Sequence, residues 1–400
     1  MLEGKRIILG VCGSIACYKA VELANLLTKA GALVDVIMTE DATRFVAPLT
    51  FQSLTHRLVR HDLYAHWEGE DLGHVSLAEA DLILVAPASF NTLAKLAHGL
   101  TDNLLTATIL SSTAPLLVAP AGDRNMYSHP ATQANLATLR ERGVQVIEPA
   151  HGRLASGHVG LGRLPEPDEL VSHISLALAR GGDLAGRSFL VTAGGTQEPL
   201  DPVRFIGNRS SGKQGYALAQ AALERGATVT LITTVSSLTP PLGAQVIRVQ
   251  TAAELRDAVL TAAPAHDVLI MAAAPADYRP LQQSEQKIKK GQAELTLQLT
   301  RTDDILSLLA ERAAEMPHLI RVGFAAETEN LLANAADKLA RKRLHLIVAN
   351  DAATSIGADS SSVTILDAEG GQVSLPALPK AETARLIIEQ IAGLLKRRAS

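Results

Sequence analysis

The sequence has little of several residue types that define common protein classes. Its 400 residues include two cysteines, one tryptophan and only 3% aromatic residues. Two cysteines are too few for the disulfide framework of a secreted domain, and no metal-type spacing with histidines follows them. Scarce aromatic side chains leave no stacking platform for nucleic-acid bases. Because the formal net charge is −4, we expect no nucleic-acid partner.

Long apolar runs are also missing. The start, MLEGKRIILG, lacks an apolar segment of signal-peptide length. No stretch approaches the roughly 20 apolar residues that cross a bilayer. A composition of 47% hydrophobic and 20% charged residues is typical of a globular chain. We therefore expect a cytoplasmic protein without membrane contact, in two domains because 400 residues exceed one ordinary core.

The sequence is rich in short apolar strands that alternate with amphipathic helices. In the first half, a helix is predicted at 14–31 and strands at 5–10, 32–39, 81–87, 115–120 and 144–148. The pattern stops near Gly181 and restarts, with a helix at 211–226 and strands at 187–195, 227–234, 267–274, 319–327 and 345–351. Such alternation indicates parallel sheets covered on both faces. We predict an α/β protein with two Rossmann-like, doubly wound domains, at 1–182 and 186–400.

Glycine and polar residues follow the predicted strands of the first half. They are Gly13, Ser14, Thr39, Ser89 and Asn91. Backbone N–H groups in such loops, together with helix N-termini, favour an anion. Because the carboxyl ends of parallel strands share one edge of a sheet, these loops predict a mononucleotide site. The missing GxGxxG pattern argues against the alternative of an NAD-dependent dehydrogenase.

A histidine and a glycine-rich loop are further candidates for chemistry. His74 is either a surface or capping residue, or a base that faces the phosphate loops, because imidazole titrates at about pH 6.5. The loop GRLASGHVGLGR (152–163) has one hydroxyl, Ser156, near its centre. It is either a passive connection or an active-site flap.

The first half resembles the flavin-dependent cysteine decarboxylases. The similarity lies in GVCGSIACYK (10–19), LGHVSLAEAD (72–81), APASFNTLAKLAHGLTDNLL (86–105), PAGDRNMYSHPA (120–131) and GRLASGHVGLGRLPEP (152–167). The resemblance implies a trimeric, flavodoxin-like domain in which a hydride passes from the cysteine β-carbon of 4′-phosphopantothenoylcysteine to FMN, and CO2 is then lost. By the same resemblance, the strand-end residues named above bind FMN, His74 is catalytic, Asn125 contacts substrate and residues 152–163 form the flap.

The chain departs from this family at two positions that the resemblance makes catalytic. Ser156 replaces the flap cysteine, and Asp123 replaces the asparagine of a PAMN motif. A hydroxyl is far less acidic than a thiol with a pKa of about 8.5, and an aspartate repels a substrate carboxylate. Three outcomes stay open: local rearrangement preserves the reaction, the reaction is impaired or stops at the dehydrogenated product, or this half is a flavin-binding or trimerising scaffold.

A polar loop and a set of basic residues mark the second half. The loop VTAGGTQEPLDPVRFIGNRSSGKQG (191–215) leads from a strand into a helix, and its many donors fit a phosphate or a carboxylate. Asp277 ends a later strand as a candidate ligand for Mg2+ or ribose. The run KIKK (287–290) fits a triphosphate, and Phe324 could stack on a base. Lys338 and Lys342 share a helix face.

This half resembles the phosphopantothenate–cysteine ligase portion of the bacterial coenzyme A biosynthesis bifunctional proteins. The shared motifs, over 188–366, are AGGTQEPLDPVRFIGNRSSGKQG, ADYRP, KIKK, GFAAETEN, KLARK and VAND. The resemblance implies that CTP with Mg2+ converts 4′-phosphopantothenate to an acyl cytidylate, releasing pyrophosphate. The cysteine amine then forms the amide and CMP leaves. Dimers of this half and trimers of the first would build a larger homo-oligomer, up to a dodecamer.

The same resemblance assigns roles in the ligase half. Asn208 is the catalytic residue that turns over the acyl cytidylate. The nucleotide contacts are Asp277, which also binds Mg2+, and Lys287, Phe324, Lys338 and Lys342. The substrate contacts are Asp201, Arg204, Ser211 and Ala273. In RTDDIL (301–306) the family usually has a proline before the second aspartate, and we expect little effect from that change.

Overall fold

Two compact units make up the chain, Met1–Leu178 and Ala179–Ser400. The computed structural model describes residues 2–64, 73–289, 295–327, 330–351 and 358–399. The segment just after residue 179 packs within the second unit, because the Leu184 amide donates to the Arg225 carbonyl oxygen over 3.0 Å. Among the described residues, no helix is both long and apolar enough to cross a membrane.

The first unit contains seven strands and nine helices among its described residues. The strands are β1 (Arg6–Val11), β2 (Leu33–Met38), β3 (Leu82–Ala88), β4 (Leu116–Pro120), β5 (Gln145–Val146), β6 (Ala150–Arg153) and β7 (Val159–Arg163). The helices are α1 (Cys17–Lys29), α2 (Glu40–Thr43), α3 (Pro48–Thr55), α4 (His74–Ala78), α5 (Phe90–His98), α6 (Leu104–Ser111), α7 (Arg124–Ser128), α8 (Pro130–Glu141) and α9 (Pro167–Ala179).

Five of these strands form a parallel sheet in the order β2-β1-β3-β4-β5. Alternation along β1 explains the two covered faces. Leu9 and Val11 pack into one apolar cluster with α1, whereas Ile8 packs into the cluster on the opposite face. β6 and β7 form a separate antiparallel hairpin.

The second unit has a larger sheet. Its strands are β8 (Ser188–Ala193), β9 (Gln197–Pro199), β10 (Phe205–Gly207), β11 (Thr228–Thr233), β12 (Gln245–Arg248), β13 (Val268–Met271), β14 (Tyr278–Pro280), β15 (Leu299–Arg301), β16 (Ile320–Glu327), β17 (Leu346–Asp351), β18 (Ser360–Asp367) and β19 (Gln372–Pro379). The helices are α10 (Lys213–Leu223), α11 (Ala252–Ala262), α12 (Ile305–Glu311), α13 (Leu331–Arg341) and α14 (Lys380–Ala399), with short 3-10 turns at Ala263–Ala265 and Ala313–Glu315.

The main sheet has the order β12-β11-β8-β13-β16-β17-β18-β19. Its first six strands are parallel, and β18 and β19 extend it as an antiparallel hairpin. α14 covers one face through Ala384, Ile387, Ile388 and Ile391, which are fully buried at helical spacing.

The predicted fold class, two α/β units with mostly parallel sheets, is confirmed. The twelve predicted elements match observed ones with ends that differ by a few residues. The hairpin of β18 and β19 was not predicted. Its strand β19 is largely exposed, so the apolar periodicity there is weak.

Candidate functional sites

The carboxyl ends of β1 and β3 hold the predicted phosphate loops of the first unit. The strand order switches direction between these two strands, which is where open α/β sheets bind ligands. The Cys12 amide donates to the Pro87 carbonyl oxygen over 3.2 Å and joins the two loops. α1 begins after Ala16 without a side-chain cap, so its first N–H groups lack a side-chain acceptor.

The predicted loop residues surround this edge. A Cβ on Gly13 would lie 2.5 Å from Asp41 Cβ, so a side chain there would collide with the segment after β2. Thr39 Oγ1 accepts from the Ala42 amide and caps α2, while Ser89 Oγ accepts from the Thr92 amide and caps α5. Asn91 is exposed in the first turn of α5, and Ser14 is half-buried.

His74 is the first residue of α4 and is half-buried. The helix is fixed by Leu77, which is in the apolar core, and by the Ser112 hydroxyl, which donates to the Ala78 carbonyl oxygen over 2.6 Å. Residues 65–72, which only Gly73 separates from His74, lie outside the described part of the chain.

The glycine-rich loop is the β6–β7 hairpin. At its tip the Leu154 amide donates to the His158 carbonyl oxygen over 2.8 Å, and Gly157 has a φ of +85°. The Gly122 amide donates to the Gly162 carbonyl oxygen over 2.9 Å. A Cβ on Gly162 would lie 2.2 Å from the Gly122 carbonyl oxygen, so β7 needs a glycine where it approaches the segment after β4.

The two departures from the cysteine decarboxylases are in direct contact. The Ser156 hydroxyl donates to Asp123 Oδ2 over 2.8 Å. Asp123 Oδ1 also accepts from the Asn125 amide over 2.9 Å and caps α7. The Asn125 amide, followed by the Ser156 hydroxyl, lowers the pKa of the Asp123 carboxyl. Asp123 is therefore an ionised acceptor at neutral pH, held by donors from α7 and from the hairpin tip.

Sequence reasoning missed the anchor of this hairpin. Lys19, in α1, is buried, and its ammonium group donates to the Leu164 carbonyl oxygen over 2.8 Å and to Glu166 Oε1 over 2.7 Å. The link spans 145 residues and fixes the chain where β7 ends. The lysine and the glutamate both lie in quoted motifs, but neither motif indicates the partner of the other.

A cavity of about 880 Å³ in the second unit gathers most of the predicted ligase residues. Its lining includes Asn208, Ser211, Ala273, Asp277, Phe324, Lys338 and Lys342. Asp201, Arg204 and Lys287 are not among its lining residues. Lys287 is exposed, and Lys290 lies outside the described residues.

The cavity contains a helix N-terminus and a lysine pair. α10 begins after Gly212, which has a φ of +73° and no side-chain cap. Lys213 Nζ is 2.6 Å from Asp359 Oδ1. Lys380 lines the same cavity, and its pKa is lowered by burial and by the neighbouring Lys213 charge. Sequence reasoning missed Lys380 and Asp359, because they come from α14 and the start of β18, far from the glycine loop.

Asn208 is held by backbone on two sides. Its Nδ2 group donates to the Pro275 carbonyl oxygen over 2.9 Å. A Cβ on Gly195 would lie 2.5 Å from the Asn208 carbonyl oxygen, so the backbone segments around Gly195 and Asn208 pack closely. The Ala273 amide donates to Thr192 Oγ1 over 3.0 Å, which fixes the end of β13 beside β8. The loop after β13 and the loop after β8 are thus locked together at the cavity.

Lys338 of α13 and Lys342, the residue that follows this helix, both have protein partners. Lys338 Nζ donates to the Phe324 carbonyl oxygen over 2.8 Å. Lys342 is buried and donates to Asp304 and to Ser307 at the start of α12. Burial alone would raise the pKa of Asp304, but the hydrogen bonds from Lys342 and Ser307, together with the Lys342 charge, outweigh burial and lower it.

The position where the family usually has proline, Asp303, pairs with Arg256 of α11. This ion pair joins α11 to the loop before α12. Elsewhere in the described part of the chain, no three His, Cys, Asp or Glu side chains are grouped as a metal site.

Comparisons with known proteins agree with both units. The family described as DNA/pantothenate metabolism flavoprotein C-terminal domain matches residues 184–395, and the flavoprotein family matches residues 1–178. The coenzyme A biosynthesis bifunctional protein CoaBC of Bacillus subtilis (strain 168) is 45% identical over 403 residues, which cover 99% of this chain and 98% of that protein.

Two solved structures resemble one unit each. The C-terminal domain of a coenzyme A biosynthesis bifunctional protein CoaBC is 38% identical, covers 54% of this chain and 100% of its own, and has a TM-score of 0.47. The FMN-dependent cysteine decarboxylase SpaF is 32% identical, covers 44% of this chain and 97% of its own, and has a TM-score of 0.39. With the full-length match to the Bacillus subtilis protein, the chain belongs to the family of coenzyme A biosynthesis bifunctional proteins.

Proposed function

We propose that the domain predicted at 186–400, which lies in the second unit, is a CTP-dependent phosphopantothenate–cysteine ligase. The observation that carries this proposal is the cavity in which an uncapped helix N-terminus, four lysines and Asn208 come together. A carboxylate is a poor electrophile, so the carboxyl group of 4′-phosphopantothenate must be activated before an amide forms. Transfer of the cytidylyl group from CTP gives an acyl cytidylate and pyrophosphate.

Cations of this chain stabilise the charge that develops on the triphosphate. The α10 N-terminus offers backbone N–H groups, and Lys213 and Lys380 add positive charge beside it. Asp277 is exposed at the cavity and suits Mg2+, which binds through one or two carboxylates together with substrate phosphates. Phe324, Lys338 and Lys342 form the nucleotide side of the proposed site, and Lys287 is the further triphosphate contact.

Amide formation requires the cysteine amine to reach the activated carbonyl carbon. Asn208 is proposed to orient the acyl cytidylate, because its side-chain amide is already fixed by the Pro275 carbonyl oxygen. Ser211 and Ala273 lie on the same cavity wall and are proposed substrate contacts. Positioning and electrostatic stabilisation then account for catalysis without a nucleophile from the protein.

We propose that the domain predicted at 1–182, which contains the whole first unit, binds FMN and decarboxylates 4′-phosphopantothenoylcysteine to 4′-phosphopantetheine. The donors at the carboxyl ends of β1, β2 and β3 fit the phosphate of a mononucleotide, because α1 is uncapped and a Cβ on Gly13 would collide with Asp41. Gly13, Ser14, Thr39, Ser89 and Asn91 would hold the cofactor. When bound, FMN would accept two electrons from the cysteine β-carbon, so that the neighbouring carbon can release CO2, and would then return them to give 4′-phosphopantetheine.

The remaining residues of the first unit have proposed roles toward the substrate. His74 holds or removes a proton, and the β6–β7 hairpin excludes water from the reacting carbon. Asn125 binds the substrate. Ser156 is the proton donor at the hairpin tip, and Asp123 faces the substrate carboxylate.

One observation favours a second candidate function. The Ser156 hydroxyl is already bonded to Asp123, so neither group faces the substrate unpaired. The alternative is an active ligase joined to an FMN-binding unit that does not complete decarboxylation.

We also propose a cytoplasmic homo-oligomer with trimers of the first unit and dimers of the second, up to a dodecamer. Light scattering of the full-length protein as it elutes from a size-exclusion column gives the number of subunits. Twelve or six subunits fit this proposal, whereas a monomer at micromolar concentration contradicts it.

The ligase proposal is tested with the full chain, 4′-phosphopantothenate, CTP and Mg2+. Without cysteine, we expect about one pyrophosphate per active site. Adding cysteine should give CMP and phosphopantothenoylcysteine with continued turnover. Pyrophosphate release that does not depend on 4′-phosphopantothenate would contradict the proposal.

A further inference from the structure

An ion pair outside the cavity holds one residue of the KIKK segment, Ile288, by its backbone. Asp201 Oδ2 accepts from the Ile288 amide over 3.1 Å, and Arg204 Nη2 donates to the Ile288 carbonyl oxygen over 2.8 Å. The same two side chains bind each other, since Arg204 Nε donates to Asp201 Oδ2 over 2.9 Å. Both polar backbone groups of Ile288 are therefore held by one ion pair from a segment 87 residues away.

The Asp201 carboxylate has no capacity left for a substrate. Its Oδ1 atom accepts from the amides of Val203 and Arg204, each over 2.8 Å. Its Oδ2 atom is taken by Arg204 and Ile288, and its side chain has 0% exposure. A carboxylate offers about four acceptor positions, so these contacts fill it. The Arg204 guanidinium holds the pKa of this carboxyl well below its usual range. The ion pair of Asp201 and Arg204, called the clamp below, therefore stays charged at neutral pH.

A second contact extends the grip along the same segment. The Ser284 amide donates to the Leu200 carbonyl oxygen over 2.9 Å. The turn at 200–204 thus fixes the chain at both ends of 284–288. Ile288 is half-buried, whereas Lys287 and Lys289 on either side of it are exposed. This alternation is that of an extended segment, in which residues two apart share a face.

We propose that Asp201 and Arg204 are positioning residues that present Lys287 and Lys289 to the triphosphate of the nucleotide. This inference rests on the proposed ligase function and replaces direct substrate contact by these two residues. The clamp orders the backbone of the two lysines when the protein folds. The entropy of ordering that segment is then not lost again when the anionic nucleotide binds.

Calorimetric titration of Mg2+–CTP into the full chain tests this coupling. Arg204→Ala should weaken CTP binding about tenfold, the effect of losing one charge-assisted contact. In a Lys287→Ala/Lys289→Ala background, adding Arg204→Ala should cause no further loss, because residues that act through one another are not additive. The KM for 4′-phosphopantothenate should stay within about twofold of the wild-type value, the range expected when no substrate contact is removed.

The matched control is Arg225→Ala. It breaks a comparable pair, in which Arg225 donates to both oxygens of Asp183 over 2.9 and 2.6 Å. CTP affinity should not change in this variant. If Arg204→Ala does not fold, Arg204→Lys keeps a charge beside Asp201 but cannot match the planar contacts to Asp201 and Ile288.

Hydrogen exchange at the Ile288 amide gives a readout that does not depend on the nucleotide. The clamp predicts faster exchange in either Arg204 variant than in the wild type. Additive losses of CTP affinity in the combined variant, or a raised KM for 4′-phosphopantothenate with unchanged CTP binding, would overturn the positioning role. A wild-type protein that does not bind CTP but protects Ile288 would instead remove the proposed ligase function.

Discussion

The Ser156 hydroxyl and the Asp123 carboxylate are joined by a hydrogen bond of 2.8 Å, which connects the hairpin tip to the start of α7. Both residues differ from the cysteine and asparagine of the cysteine decarboxylases that this half resembles. A hydroxyl is a good donor to a carboxylate, whereas a thiol is a weak one. The two replacements therefore suit each other and are best tested together.

Ser156→Cys should raise the yield of 4′-phosphopantetheine relative to the dehydrogenated product. General acid catalysis typically contributes about 10²-fold or more, so we expect a rise of at least roughly tenfold. The Asp123 charge would raise the pKa of the new thiol, and the double variant Ser156→Cys/Asp123→Asn should therefore rise further. Mass spectrometry of the products measures the ratio. Asp123→Asn alone is the control, since it supplies no acid. Unchanged ratios in both cysteine variants would show that position 156 does not limit the reaction.

Asn208→Asp should separate the two steps of the proposed ligase. The aspartate cannot donate to the Pro275 carbonyl oxygen and places a negative charge beside it. We expect pyrophosphate release to continue while amide formation slows by about 10²-fold, a typical cost for a lost polar contact in a transition state. Rapid-quench analysis would detect the accumulated acyl cytidylate. Equal slowing of both steps would place Asn208 in nucleotide binding instead.

Asp35→Asn should destabilise the first unit. Asp35 is buried in β2 and accepts from Arg57 Nε over 2.7 Å and from Arg6 Nε over 2.9 Å. Because both arginines are partly exposed, the expected loss of unfolding free energy is smaller than the roughly 3 kcal/mol for breaking a fully buried pair. Calorimetric unfolding of the full chain measures the loss. Asp102→Asn, which breaks the exposed pair with Lys95, should leave the unfolding temperature unchanged.

The ionisation of Asp35 also predicts that the stability of the first unit depends on pH. Burial raises the pKa of Asp35, but the hydrogen bonds from Arg57 and Arg6, together with the charges of both arginines, outweigh burial and lower it below 3.8. Its contribution is thus present above pH 3.8 and is lost as the pH falls through the lowered pKa. The stability difference between the wild type and Asp35→Asn should shrink in that range. A constant difference would contradict the assignment of the ionised form.

His345 predicts a loss of stability of the second unit at moderately low pH. Burial, with the charges of Arg321 and Arg398, lowers its pKa from 6.5 to about 4. Its Nδ1 atom accepts from the Arg321 amide over 3.0 Å, which requires the neutral ring. Stability is therefore full above pH 6.5 and is lost as the pH falls toward 4.

The free energy of unfolding should fall by up to about 1.4 kcal/mol for each unit by which the pH is lowered in this range. This is the value for one extra proton bound by the unfolded state. Urea unfolding of the wild type and of His345→Gln at pH 7 and pH 5 measures it. The difference between the two proteins should change between these pH values. Parallel curves would exclude His345 as the source of the slope.

The elements that position both sites could be predicted because their signals are local. β1 and its glycine loop, or β8 and the loop before α10, each lie within one apolar run and its flanking residues. The carboxyl edge of a parallel sheet then brings these loops together by topology alone. Asn208, Asp277 and Phe324 line one cavity, as this topology leads one to expect.

The contacts between distant segments could not be predicted. Ser156 and Asp123 are 33 residues apart, and Asp201 and Ile288 are 87 residues apart. Neither separation follows from periodicity or a turn, so each residue was identified without its partner. Lys213 lies in the polar loop that the sequence marks as an anion site. No sequence pattern indicates that Lys380, at the start of α14, lies beside it.

The central claim, that both units act in succession, is tested most directly by the products of the full chain. Purified, FMN-loaded protein would be given 4′-phosphopantothenate, cysteine, CTP and Mg2+, and the products identified by mass spectrometry. The account predicts 4′-phosphopantetheine and CO2, with phosphopantothenoylcysteine as a transient intermediate. Phosphopantothenoylcysteine that accumulates as the final product would contradict it and would leave a working ligase joined to a flavin unit without decarboxylase activity.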